Sequence, residues 1–239
     1  MRLLVINPNS SSGVTRHIGG AARLAALPGD EIVVTQADGA PPLIVDDGDA
    51  RLAEQAVVDT VLAMGNGFDG IIVASFGDTG AAALRRVVDC PVVGIGHASL
   101  LTASALGGPF AVVSFATAVV PAMQQLVESY GMQGGLSGIH VVDLPLPEDP
   151  GEIQSALAGP LRERCREVAA RNECRSIILG GGPLAGLALR LAPSLPLPVI
   201  DATVAAVQLQ RSLQFSRGGG PAQQASDWQN RPLSTNGTH

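Results

Sequence analysis

The chain has 239 residues, 46% of them hydrophobic but only 3% aromatic and 15% charged, enough for one α/β domain of ordinary size or two small ones with cores of small side chains. Its 15 basic and 21 acidic residues leave a net charge of −6, and every basic residue is Arg, which excludes a Schiff-base lysine, the usual pyridoxal-phosphate chemistry and a Walker-type phosphate loop, and argues against nucleic acid as a partner. Three scattered cysteines (Cys90, Cys165, Cys174) with no CxxC pair, four scattered histidines and no run of 18 apolar residues predict a reduced cytoplasmic setting with no structural zinc, no signal peptide and no membrane span.

Taken in chain order, apolar runs at 2–6, 31–35, 70–74, 91–95, 110–114, 139–144, 176–180 and 197–200 read as strands. Their Val and Ile are continuous, the pattern of strands buried on both faces. Between them, stretches rich in Ala and Leu read as helices at 12–26, 49–66, 79–88, 98–106, 118–130, 152–171, 184–192 and 202–214. Strand–helix alternation predicts parallel sheets. From Ser216 onward, Gly, Gln, Ser and Asn predict an extended or mobile tail.

The two halves echo each other. VINPN at Val5 pairs with VVSFA at Val112, and PVVGIGHAS at Pro91 with PVIDATVAA at Pro198, both at an offset of 107 residues. IIVASFGDTG at Ile71 pairs with IILGGGPLAG at Ile177 at an offset of 106. The expected fold class is α/β, with two pseudo-symmetric α/β domains, parallel sheets and a site in the cleft between them. The first domain takes residues 1–96 together with a returning helix at 202–215, the second residues 99–200. A small-molecule substrate and a homo-oligomer are the expected partners.

Ligands of parallel sheets sit beyond the carboxyl ends of the strands, so the turns at those ends are the candidates. Asn9, in the Asn-Pro-Asn turn, is placed to bind polar ligand atoms; Ser10 to Ser12 serve equally well as helix caps. Ser75, Phe76 and Asp78 stand in the Ser-Phe-Gly-Asp turn, with Thr79 capping the next helix. Gly181 and Gly182 belong to the Gly-Gly-Gly-Pro turn, whose backbone N–H groups can meet a developing negative charge. His97 has the side chain best matched to acid–base work near neutral pH. Ser114 and Thr117 are the second-half counterparts of the Asn-Pro-Asn turn. No cysteine falls in such a turn, so all three are expected to be structural.

In order, VINPNSS, DGIIVASFGDTG, PVVGIGHAS, SIILGGGPLAG and LPVIDATVAAV resemble the Asp/Glu/hydantoin racemase superfamily, nearest its hydantoin racemase branch, over nearly all of residues 1–214. The resemblance implies two pseudo-symmetric domains and a cofactor-free site between them, with no metal. It also implies a pair of catalytic cysteines on opposite sides of the substrate carbon, at the positions that here are Ser75 and Gly181, and commonly a Glu at the position of His97. Lacking both thiols, the chain is expected to run another reaction on a hydantoin-like ring: hydrolytic desulfuration of a thiohydantoin propionate, the desulfhydrase type of the superfamily. In that reading Ser75, His97 and Asp78 are catalytic, Asn9, Phe76, Ser114, Thr117, Gly181 and Gly182 bind substrate, and Gly181 opens one face of the ring to water. Two alternatives stand beside it: a hydantoin- or allantoin-type racemase or isomerase using bases other than cysteine, and a non-catalytic ligand-binding protein.

Overall fold

The computed structural model describes residues 1–216; beyond Ser216, the expected tail lies outside the described residues. The first half runs β1 (Arg2–Asn7), α1 (Ser12–Ala25), β2 (Glu31–Gln36), α2 (Asp47–Met64), β3 (Gly70–Val73), α3 (Ala81–Leu84), β4 (Val92–Gly94) and α4 (Ile95–Leu106). The second runs β5 (Phe110–Ser114), α5 (Val120–Ser129), β6 (Leu136–Val141), α6 (Ile153–Ala170), β7 (Ser176–Leu179), α7 (Leu187–Leu191), β8 (Val199–Asp201) and α8 (Ala202–Ser216). Each half folds into a four-stranded parallel sheet, ordered β2-β1-β3-β4 in one and β6-β5-β7-β8 in the other. The order is the same in both, as the offset repeat requires.

The continuous apolar runs are explained by packing on both faces. Leu4, Ile6, Ile71 and Val73 face an outer cluster with Val57, Val61 and Leu84 under α2 and α3. Ala111, Val113, Ile177 and Leu179 do the same in the second sheet, against Leu157, Leu161 and Cys165 of α6. The alternate residues, Leu3, Val5 and Ile72 from one sheet and Val112, Ile178 and Ile200 from the other, share a single middle cluster with α1, α4, α5 and α8. Each such side chain contributes roughly 1.5–3 kcal/mol on burial, so the halves are joined by core and not only by linkers. A further tie is polar: His17 Nε2 of α1 donates to Gly151 O, 2.9 Å away.

The last helix returns to the first sheet. Gln210 Nε2 donates to Ile71 O (2.7 Å) and Pro91 O (2.9 Å), and Arg211 pairs with Asp30 at 2.5 Å, which also holds the N-terminal ammonium at 3.1 Å. Several expected elements differ in extent, among them the helix expected over 98–106, which starts at Ile95 directly after β4. The helix expected over 79–88 is α-helical only at Ala81–Leu84, because a tight turn with Ala81 N–H donating to Asp78 O uses its first residues. The one expected over 184–192 starts at Leu187, after a 3-10 turn at Gly182–Leu184. The strand expected over 139–144 runs instead over Leu136–Val141, in a register that shifts between Phe110 and Ala111; Pro145 and Pro147 follow it, and proline cannot extend a ladder. No helix among the described residues is long and apolar enough to cross a membrane.

Candidate active site

The carboxyl ends of β3 and β7 face each other. Gly182 packs so closely on the opposite turn that a Cβ there would lie 2.8 Å from Ala74 O. Between these turns lies a cavity of about 560 Å³. Asn9, Ser75, Phe76, Gly181 and Gly182 all line it, so five of the expected site residues meet there. α5 and the residue before it form one wall, with Val119, Met123 and Leu126, and the segment after β2 forms another, with Leu43 to Asp47. Both walls escaped the sequence reading. The usable signal was positional: each follows a strand exit in its own half, as the recognised turns do.

The polar groups at the cavity are oriented by the backbone around them. Asn9 Oδ1 accepts from Asn7 Nδ2 (2.8 Å) and Ser11 N–H (3.0 Å), which leaves Nδ2 as the donor available to a ligand. Ser11 caps α1, accepting from Val14 N–H at 3.3 Å. Ser75 Oγ accepts from Thr79 N–H at 3.0 Å, so its own proton is free to be donated. Among the described residues, the N–H groups of Ser75, Phe76, Gly77 and Gly181 carry no hydrogen bond. All four residues line the cavity, and backbone donors aimed at a developing oxyanion stabilise it.

Gly181 does not open a face. Its φ is +130°, a backbone conformation costly for residues with a side chain. The space a side chain would take is filled, since a Cβ would lie 2.7 Å from Phe115 Cε1. Phe115, itself buried, also lines the cavity. That side of the site is closed by an aromatic ring, and the expected opening for water is corrected accordingly.

The structure does not bring Asp78, His97, Ser114 or Thr117 to the cavity wall. Ser114 is fully buried and donates to Gly180 O at 2.8 Å. Thr117 is exposed, its N–H donating to Asp143. His97 lies in the first turn of α4 with its ring stacked on Tyr130, centroids 3.9 Å apart, and burial pushes its pKa down. Asp78 takes a left-handed φ of +52°, and its carboxylate turns inward to accept from Gly96 N–H (2.8 Å), His97 N–H (3.0 Å) and Tyr130 Oη (3.3 Å). The absence of side chains at Gly94 and Gly96 makes room for it: a Cβ at Gly94 would overlap the Asp78 carboxyl, 1.9 Å from its carbon. The cysteines lie away from the cavity, and burial pushes the Cys165 thiol up to about 12.

Burial raises the Asp78 pKa from 3.8 to about 7, against the lowering effect of its hydrogen bonds. Because the folded-state value is the higher, the native chain keeps this proton over a range where the unfolded chain has lost it. The resulting stability is complete below pH 3.8 and is lost as pH rises through about 7. Denaturant unfolding should therefore show the wild type about 1.4 kcal/mol more stable at pH 6 than at pH 8 through this group alone. Asp78→Asn should remove that increment, and an unchanged pH difference in the variant would assign it elsewhere.

A model of the Asp/Glu/Hydantoin racemase family matches residues 3–210. A hydantoin racemase of Paenarthrobacter aurescens is 31% identical over 215 residues, covering 89% of this chain and 91% of that one. An allantoin racemase from Klebsiella pneumoniae superposes with a TM-score of 0.85 at 33% identity, over 91% of this chain and 89% of that one. An allantoin racemase from Pseudomonas fluorescens gives 0.83 at 28% identity, over 91% and 92%. These relatives overturn the desulfuration reading: they are named as racemases, and none as a desulfhydrase. The cavity agrees with them. Among the described residues, the charged side chains that line it are Asp46 and Asp47, which disfavour the propionate of a thiohydantoin propionate, and the base expected to activate water, His97, is stacked against Tyr130.

Proposed function

The chain belongs to the Asp/Glu/hydantoin racemase family, and from that premise we propose that it is an isomerase inverting the ring carbon of a hydantoin- or allantoin-type cyclic ureide with bases other than cysteine. The observation that carries this reading is the pair of facing turns, whose residues with unused N–H groups line, together with Asn9, a cavity of about 560 Å³. The reacting carbon of such a ring lies beside a carbonyl. Removing its proton moves the electron pair onto that carbonyl oxygen, and returning a proton to the opposite face completes inversion with no net redox change. Donors aimed at the enolate oxygen lower the barrier, at about 3 kcal/mol for one well-placed N–H.

Ser75 supplies the hydroxyl on one wall. Unassisted, it is a poor base, as is water, so in this reading the ring proton passes through a water oriented by Ser75 and Asn9 to a carboxylate at the cavity, Asp46 or Asp47, and a proton returns to the opposite face from solvent. Phe115 and Phe76 give the ring apolar faces to lie between. Asp46 and Asp47 select a neutral or cationic ring substituent over an anionic one.

The test is to incubate the protein with an enantiopure 5-substituted hydantoin and with enantiopure allantoin in D₂O, following optical rotation and deuterium at the ring carbon. Loss of rotation accompanied by deuterium uptake is expected, above the rate without protein. Retained rotation and no uptake, with a ligand-induced rise in melting temperature, would leave a binding protein and end the isomerase reading.

A further inference from the structure

A cluster outside the cavity joins the two halves beside it. Asp78 belongs to the turn that carries Ser75. Tyr130 follows the last residue of α5, the helix that walls the cavity from the other half. The Tyr130 hydroxyl donates to Asp78 Oδ2, and the Tyr130 ring lies flat on His97, with 4° between the planes. The same carboxylate accepts from the first-turn N–H groups of α4 at Gly96 and His97. Three elements therefore meet on one group: the Ser75 turn, the start of α4 and the end of α5.

We propose that Asp78 is a positioning residue whose carboxylate, shared between the α4 N-terminus and the Tyr130 hydroxyl, locks the Ser75 turn of the first half against the α5 wall of the second. It rests on the reading of the cavity as the reaction site only for its bearing on catalysis; the lock itself is a statement about structure. In its ionised form Asp78 has acceptors enough for all three donors. Once protonated, one oxygen becomes a donor and the hydrogen-bond set rearranges. The other titratable or charged groups that face it are Tyr130 from α5, His97 from α4 and Arg85 just after α3. Arg85, whose Nε donates to Val92 O at 3.1 Å, favours the ionised carboxylate. The buried carboxylate loses its proton near neutral pH, so the hydrogen bonds that Tyr130 and the α4 N–H groups make with it change across that range, while the cost of burying its charge appears as the stability lost above neutrality.

Tyr130 is the chain's one tyrosine, so protein labelled with [¹³Cζ]-tyrosine gives a single resonance to follow. From pH 5 to 9 that resonance should move along one sigmoid centred near neutrality in the wild type and stay flat in Asp78→Asn. A flat wild-type titration, or the same sigmoid in Asp78→Asn, overturns the proposal. Tyr130→Phe keeps the ring and removes only the hydroxyl, so it tests the lock even if Asp78→Asn does not fold. In hydrogen exchange, residues 120–129 and the hydrogen-bonded amides of Asp78 and Thr79 should lose protection about tenfold in Tyr130→Phe at pH 8, while β5 and β7 keep theirs. Equal protection in both proteins would refute the lock. Neither readout depends on turnover, so failure here is distinguishable from failure of the isomerase reading.

Discussion

Gly181→Cys should lower the stability of the fold by about 2–6 kcal/mol, the combined cost of a side chain at an unfavourable backbone conformation and of overpacking against a buried ring. At φ +130° the substitution is strained whatever its surroundings. With Phe115 Cε1 only 2.7 Å from the new Cβ, the ring must also move. For a chain of this length the melting temperature should fall by on the order of 10 °C. A double-mutant cycle with Phe115→Leu separates the two costs: the smaller side chain relieves the contact but not the strain. The double variant should therefore be more stable than additivity allows, by about 1 kcal/mol or more. Strict additivity would show that Phe115 is not the obstacle. The position where the family resemblance places a second thiol is thus closed by backbone and packing together, and a single substitution restores a thiol there only at that cost in stability.

Ser75→Cys should act in the opposite sense, on rate. The Thr79 N–H that donates to Ser75 Oγ at 3.0 Å would favour a thiolate at the same place, since a hydrogen bond to the charged form lowers a pKa. A thiol already has a few per cent thiolate at neutral pH, and a positioned base contributes roughly 10²–10⁴-fold. Deuterium exchange at the ring carbon of an enantiopure hydantoin should accelerate about 10²-fold. Inversion should gain less, because a base has been added on one wall only and the other holds Phe115. A rising ratio of exchange to inversion is the signature, read by mass spectrometry alongside polarimetry. Unchanged exchange in a folded variant would place the reacting carbon away from residue 75.

The architecture was legible because it rests on properties each residue carries with it. Leu3 to Ile6 and Ile177 to Leu179 are apolar at successive positions, short β-branched-rich runs of the kind that strands covered on both faces use. The offset repeat foretold the duplicated strand order for a similarly local reason. Asn9, Ser75 and Gly181 line the cavity because they sit at strand exits, where the cavity is. The hydrolytic assignment failed because it depended on where side chains point after the exit. His97 follows β4 without an intervening loop, so the first turn of α4 aims it at Tyr130. Asp78 has a left-handed backbone that turns its carboxylate toward Gly94. Phe115 decides what stands above Gly181, yet the two residues are 66 apart in the sequence, and their meeting is a product of sheet order.

The inward carboxylate of Asp78 has a counterpart that a residue-by-residue match of the two halves overlooks. At the 107-residue offset Gly94 corresponds to Asp201. Asp201 accepts from Thr203 and Val204 N–H, the counterparts of Gly96 and His97, and burial raises its pKa as well. One half brings the negative charge to its closing helix from the turn after the third strand; the other brings it from the end of the fourth, where the first half has a glycine. The two copies have diverged in spelling while keeping a buried carboxylate on the first-turn N–H groups of the closing helix. An alignment of the halves scores Gly94 against Asp201 as a difference, whereas to the helix that follows they are one environment reached along two routes.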